Sequence, residues 1–274
     1  MAGLHWADYL IFAFFLLASL AIGVYHAFSG NKQRTTQEFI MADRNLKVLP
    51  TVLSLVVSFQ SALLILGNPA EVYSYGTQQW FGSLIGFTIA VLIAERLLVP
   101  WIFPLKLTSV YEYLEMRYSS RSVRIVGAIF GISGALLYMG TAVYAPSLAL
   151  EAATGLSIKV SIPIMTVVAT AYTALGGMRA VIWTDVFQSG IMLCGIIAIL
   201  FKGCMEVGGI SEAFHYAQLE GRVFGFSTSV DPRERLTVWG FVFAWSSTWG
   251  FKYGLQQTST QRYSATGSLK KARL

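Results

Sequence analysis

Leu53–Glu71 reads Leu-Ser-Leu-Val-Val-Ser-Phe-Gln-Ser-Ala-Leu-Leu-Ile-Leu-Gly-Asn-Pro-Ala-Glu. The stretch is apolar enough to enter a bilayer, yet it carries Ser54, Ser58, Gln60, Ser61 and Asn68, followed by a Gly67-Asn68-Pro69 breaker. In hydrocarbon a helix is interrupted only where protein or a water-filled cavity satisfies the freed backbone groups. A polar, breakable helix at membrane depth therefore points to a substrate or ion site. The alternative is a kinked helix whose small residues pack against a neighbour.

The rest of the chain has the composition such a helix needs. Hydrophobic residues are 55% of the 274 and charged residues 12%, and the mean hydropathy is +0.58. Soluble domains carry about 25% charged residues, so a water-soluble globule is excluded. An aromatic share of 14% suits interfacial Trp and Tyr belts. The net charge of +6 comes from basic residues scattered between apolar runs, which reads as membrane topology and not as a nucleic-acid surface. Cys194 and Cys204, both in or near an apolar run, make neither a disulfide framework nor a metal site. There is no Asn-x-Ser/Thr sequon. The first apolar run lacks a basic n-region and is too long for a cleavable signal.

Seven runs are long enough for a bilayer-spanning helix of about 20 residues: Tyr9–Gly30, Val48–Ala70, Val72–Leu105, Ile125–Leu150, Val160–Met178, Ala180–Phe201 and Leu236–Gln261. None alternates as a membrane β-strand would. The expectation is an all-α polytopic membrane protein forming one transmembrane domain over residues 1–274. Lys and Arg are uneven between alternate loops. Thirteen lie on one side, including Lys32, Arg34, Arg44 and Lys47, Lys106 to Arg124, Arg179 and the tail; five lie on the other. The positive-inside rule puts the thirteen in the cytoplasm and the N-terminus outside.

Four strings extend the reading: Leu107–Tyr118, Tyr144–Leu150, Tyr172–Gln188 (with Gly-Gly-Met-Arg-Ala-Val-Ile-Trp-Thr-Asp) and Gln257–Tyr263. Together, in this order and spacing, they resemble the sodium:solute symporter family, in its branch of multivitamin, monocarboxylate and iodide symporters. The resemblance covers nearly the whole chain. It implies an inverted-repeat, LeuT-like transporter core with an extra N-terminal helix, ending here after the sixth core helix. On that basis the chain is expected to be the N-terminal part of a longer transporter or a shortened product.

The resemblance also implies site residues. Backbone carbonyls of Val57 and Gln60, at the break of the first core helix, would bind Na+, with Ser58 and Ser61 as second contributors. The remainder of that site would lie on a later helix. An acid inside a membrane segment is a functional hypothesis by default, and Asp185 is expected near the inner sodium exit path; its alternative is a helix N-terminal cap after Gly176-Gly177. Glu95 and Arg96 read as a mutual or snorkelling pair. For the solute, the candidates are Leu64, Tyr138, Tyr144, Trp249, Lys252, Tyr253 and Gln256. Trp249-Gly250 and Tyr253-Gly254 would let the sixth core helix unwind. Tyrosines at helical spacing serve a core or interface as readily as a ligand. Lys252 would pair with an anion or snorkel, and its charge departs from the related transporters, as Gln256 departs from their asparagine. Leu64 stands where sugar-transporting relatives carry a polar residue.

The implied activity is sodium-coupled symport of a small organic or inorganic anion across the plasma membrane. Na+ is the coupling ion, no organic cofactor is needed, and the partners are the anionic solute, Na+ and the lipid bilayer, with no nucleic acid. No catalytic triad or phosphate-cradling loop suggests an enzyme. The rival expectation is a truncated, non-transporting product that modulates a full-length copy or fails to complete it.

Overall fold

A bilayer leaves the backbone no water to bond, and helices satisfy it internally; the structure follows this rule along the chain. A computed structural model describes residues 5–28, 35–223 and 227–273. Lys32 and Arg34 of the first basic loop, and the Gly30 end of the first apolar run, lie outside the described residues. Among the described residues there is no strand, only isolated bridges between Leu46 and Thr266 and between Ser227 and Thr237.

The long helices are α1 (Trp6–Phe28), α2 (Val48–Phe59), α3 (Ala62–Tyr75) and α4 (Gln78–Leu105). They continue as α5 (Tyr111–Tyr118), α6 (Arg121–Thr154), α7 (Ile158–Val207), α8 (Ile210–Leu219), α9 (Val238–Gly254) and α10 (Gln257–Ser264). Four of these, α1, α4, α6 and α7, are each long and apolar enough to cross a membrane, and the broken pair α2 and α3 makes a fifth candidate. As one rod, the 50 residues of α7 would reach about 75 Å at 1.5 Å per residue, far beyond a hydrocarbon core of about 30 Å. A non-helical Gly177 (φ 57°, ψ −158°) divides it into two arms.

Three details differ from the sequence expectation, although the first core helix does break at Gln60 and Ser61, where the resemblance implied it. Gly67-Asn68-Pro69 does not interrupt the helix; α3 runs through Pro69 to Tyr75, so the next helix starts at Gln78 and not at Val72. One proline removes one backbone bond, and α3 absorbs that loss. The sixth core helix stays wound through Trp249-Gly250 and opens only after Gly254.

The chain forms two compact units. The first comprises residues 1–63, 107–189 and 264–267. In it α1 lies against the first arm of α7: a Cβ at Gly23 would sit 2.4 Å from that of Tyr172, and one at Gly176 would sit 2.9 Å from the Gly23 carbonyl oxygen. Ala42, Met178 and Ile182 form a small core that Leu46 covers. The Leu46 amide donates to the Ala265 carbonyl at 3.1 Å. Ahead of α2, the six-residue helix Thr36–Met41 starts with a capping box, Thr35 and Glu38 bonding reciprocally.

The second unit comprises residues 64–106, 190–263 and 268–274. Its centre is the α4–α9 pair, in which α4 presents Gly82, Gly86 and Ala90 at four-residue intervals to α9. Small residues at this spacing let two helix backbones approach where lipid supplies no hydrophobic drive. At Gly86 a Cβ would meet Trp245 Cβ at 2.6 Å and the Phe241 carbonyl oxygen at 2.9 Å. Near the end of α4, Glu95 pairs with Arg96 at 3.3 Å, as the sequence suggests, and also with Arg273 at 2.9 Å.

The segment between α8 and α9 is fastened to the end of α3 by two arginines. Arg235 grips both carboxylate oxygens of Glu71 (2.7 and 3.0 Å) with its guanidinium carbon 4.0 Å from the Tyr75 ring centroid. Arg222 lies 3.9 Å over the Tyr73 ring and donates to the Tyr73 carbonyl. Within the segment, the Ser227 hydroxyl donates to Glu234. Hydrogen bonds from Ser227 and then Ser229 hold the Glu234 carboxyl below the usual carboxylate range.

Two outcomes are expected. Gly86→Val should destabilise the protein by about 1–3 kcal/mol through overpacking, measured as a lower thermal midpoint in detergent. Gly140→Ala, at a position with nothing within 4 Å, should leave the midpoint unchanged or raised. Because the Glu234 pKa is depressed on folding, its contribution to loop order is complete above the ordinary carboxylate pKa and is lost as pH falls through the depressed value. Protection of the amides over residues 227–235, taken relative to their intrinsic exchange at each pH, should therefore fall at acid pH, and Glu234→Gln should flatten that dependence.

Candidate functional site

Polar side chains recur along α2 at Thr51, Ser54 and Ser58, with Ser61 following at the same spacing beyond the helix end. Intervals of three and four residues put such positions on one helix face. Thr51 and Ser54 are buried, and Ser58 is partly so. The Thr51 hydroxyl donates to the Lys47 carbonyl at 2.9 Å and the Ser58 hydroxyl to the Ser54 carbonyl at 2.8 Å. Both keep lone pairs that a cation can use. Ser54 instead donates across to Asp185 Oδ2 at 2.6 Å, the length of a hydroxyl bound to a carboxylate.

Asp185 is 8% exposed and sits on the second arm of α7. It lies eight residues past the Gly177 kink, too deep for the first-turn cap that the sequence left open. Tyr172, on the first arm, feels its charge and bonds Gln188. The Asp185 carboxylate, the Ser54 and Tyr172 hydroxyls and the Gln188 amide thus form one polar group in the first unit. Hard oxygen donors of this kind suit a hard cation.

At the end of α2, Gln60 leaves helical geometry (φ −85°, ψ 88°), and its amide is shared between the carbonyls of Val56 at 3.1 Å and Val57 at 3.0 Å. The Val57 oxygen therefore carries one amide and keeps a second lone pair. Ser61 lies in the break itself, half-buried. Sequence reasoning assigned Val57, Gln60, Ser58, Ser61 and Asp185 but gave Ser54 and Tyr172 no role. For Ser54 the signal was present in its register with Ser58; for Tyr172 nothing local distinguishes it from other tyrosines.

The solute candidates divide between the units. Tyr138 and Tyr144 are on α6 in the first, each about half exposed. Leu64, Trp249, Lys252, Tyr253 and Gln256 are in the second. There Trp249 is buried, with Phe87 at 4.8 Å and Tyr253 at 5.5 Å between ring centroids. Lys252 Nζ stands 4.5 Å from the Trp249 ring centroid, an attraction between the cation and the ring quadrupole.

The break after α9 is well capped. The amides of Leu255 and Gln256 both reach the Phe251 carbonyl (2.8 and 3.1 Å), Ser259 donates to the Lys252 carbonyl at 2.6 Å, and Tyr263 to the Gly254 carbonyl at 2.8 Å. Among the described residues, the Gln256 side-chain oxygen is buried with no hydrogen-bond partner. Buried polar atoms without partners are uncommon and ask for an explanation.

A model of the sodium:solute symporter family matches residues 39–272. The sodium-dependent multivitamin transporter of Oryctolagus cuniculus is 42% identical over 265 residues, which is 97% of this chain and 41% of that protein. The sodium/iodide cotransporter of Homo sapiens is 41% identical, covering 97% of this chain and 41% of its own length. Human sodium-coupled monocarboxylate transporter 1 is 39% identical over 97% of this chain and 43% of its own. Among solved structures, a substrate-bound, outward-open Na+-coupled sialic acid symporter superposes with a TM-score of 0.86 at 25% identity, over 98% of this chain and 56% of that one. The chain thus spans about two fifths of the length of these curated relatives. With its polar, broken helix inside an all-α membrane fold, and a family match over most of its length, the chain belongs to the sodium:solute symporter family.

Proposed function

We propose that this chain carries half of the machinery for sodium-coupled symport of a small anion, in a multi-pass protein of the plasma membrane. The observation that carries the reading is the interruption of an apolar span at Gln60 and Ser61, where a single amide serves the carbonyls of both Val56 and Val57. Carbonyls of Val57 and Gln60, with the hydroxyls of Ser58 and Ser61, are the proposed Na+ ligands. Asp185, held by Ser54, is the proposed acid on the ion's inward path. Lys252 beside Trp249 supplies positive charge for the anion, and the Gln256 oxygen accepts a donor from the solute or from water. Leu64 and Tyr253 are proposed as apolar and hydroxyl solute contacts of the second unit, and Tyr138 and Tyr144 on α6 as separate solute candidates of the first. Relatives named for vitamin, monocarboxylate and iodide transport support an anionic passenger. No covalent step is required: the Na+ gradient drives alternating access.

Proteoliposomes holding the chain, or a form extended to the length of its relatives, should accumulate labelled biotin, lactate or iodide when Na+ is outside. Equal uptake with K+ in place of Na+ would overturn the coupling.

Asp185→Asn should raise the Na+ concentration for half-maximal uptake by roughly tenfold, the scale of one lost hydrogen bond to a charged group. Ser54→Ala should shift it in the same direction and lower the thermal midpoint, because Asp185 is left buried without that donor. The orientation is also testable. With Cys194 and Cys204 replaced by Ala, a membrane-impermeant thiol reagent on intact cells should label Ser229→Cys and spare Lys270→Cys.

A further inference from the structure

Two serines join α5 to α6 in the first unit, and one cation clasps the two helices together. Ser119 ends α5 in the left-handed conformation (φ 49°), and Ser120 starts α6 extended (φ −138°, ψ 115°) with its hydroxyl making no cap bond. Arg124, one turn into α6, reaches across with one nitrogen 2.8 Å from Glu115 and another 3.4 Å from Glu112. Tyr111 and Leu114 rest where Gly131 and Gly127 leave out a Cβ. Glu112 also accepts the Thr108 amide at 3.2 Å, so the same carboxylate ties the start of α5. All three charged groups of the clasp are partly exposed, and such pairs hold weakly. A stronger anion beside Arg124 would undo them.

The linking sequence Arg117-Tyr118-Ser119-Ser120-Arg121 puts Ser120 three residues after one arginine and directly before another, a charge pattern of the kind by which kinases select substrates. Arg117 and Arg121 are exposed, and α5 has eight residues, none of them buried, so its last turn opens at small cost. We propose that Ser120 is a phosphorylation site whose phosphate unclasps α5 from α6 by drawing Arg124 away from Glu112 and Glu115. Ser120 Oγ attacks the γ-phosphorus of ATP, and the bond from that phosphorus to the bridging oxygen breaks. ADP leaves, and the hydroxyl proton passes to the kinase's base. Residues four apart on a helix are neighbours, and side chains lean toward the helix N-terminus, so the Arg124 guanidinium is in reach of a group carried by Ser120. The Arg124 amide already bonds the Ser120 carbonyl, at 3.4 Å. A phosphate brings a charge of about −1.5 to −2 and three acceptor oxygens, more than either carboxylate offers, and it repels both. Access to ATP rests on the orientation proposed above, which puts this turn in the cytoplasm.

The purified 274-residue chain in detergent is incubated with MgATP and an arginine-directed serine kinase, and its peptides are mapped by tandem mass spectrometry. This reaction needs neither orientation nor transport, so its failure is separate from a failure of those readings. One phosphate should appear on Ser120, and Ser120→Ala should remove it. Arg117→Gln should slow incorporation roughly tenfold, the scale of one hydrogen bond to a charged group. Amide exchange at fixed pH should be faster over residues 111–118 in the phosphorylated chain, and Arg124→Gln should reproduce that rise without kinase. Glu112→Gln with Glu115→Gln decides the clasp if Arg124→Gln does not fold. Absence of phosphate from Ser120 overturns the proposal, as does phosphate confined to Ser119 or Ser122. So does a phosphorylated chain that keeps full protection over 111–118.

Discussion

Every backbone amide and carbonyl at membrane depth needs a partner within the protein, and the architecture is organised by the places where helices cannot provide one. Among the described residues, the helices are interrupted at Gln60-Ser61, Gly177 and Leu255-Gln256. Each is resolved differently. After α9 the loose carbonyls are taken up by Ser259 and Tyr263. At Gly177 the left-handed φ, open to glycine at no steric cost, lets the chain turn between two arms. At Gln60 one amide is spread over two carbonyls, and oxygen capacity remains.

The fold was largely legible because composition and run length decide it: uncharged apolar segments of twenty residues have few alternatives to helices across a bilayer. Details that depend on a balance of small energies were not legible. Gly67-Asn68-Pro69 carries the strongest local breaker signal in its stretch, yet the helix persists through it and opens seven residues earlier. A missing amide costs one bond, and neighbouring helical turns hold the rest. Gly250 likewise stays wound, while the opening waits for Gly254, whose successor turns both free amides onto Phe251. The spacing of Gly82 and Gly86 was open to inspection as a packing stripe, but only the facing helix shows what it receives.

The candidate site was legible in part for the same reason. Membrane acids are rare enough that Asp185 stands out unaided, and its resemblance to a family member gives it a neighbourhood. Its partner Ser54 is 131 positions away, and no local pattern links the two. Lys252 shows the opposite case: its sequence neighbour Trp249, three residues earlier on the same helix, is also its ring partner, a contact that helical spacing alone could suggest.

The paired arginine grips on Tyr73 and Tyr75 have a mechanical meaning. With Arg222 and Arg235 both anchored to the final turn of α3, the hydrophilic segment before α9 becomes a handle on that helix. To pull that segment from the helix end, two cation–ring contacts and the Glu71 ion pair must break together.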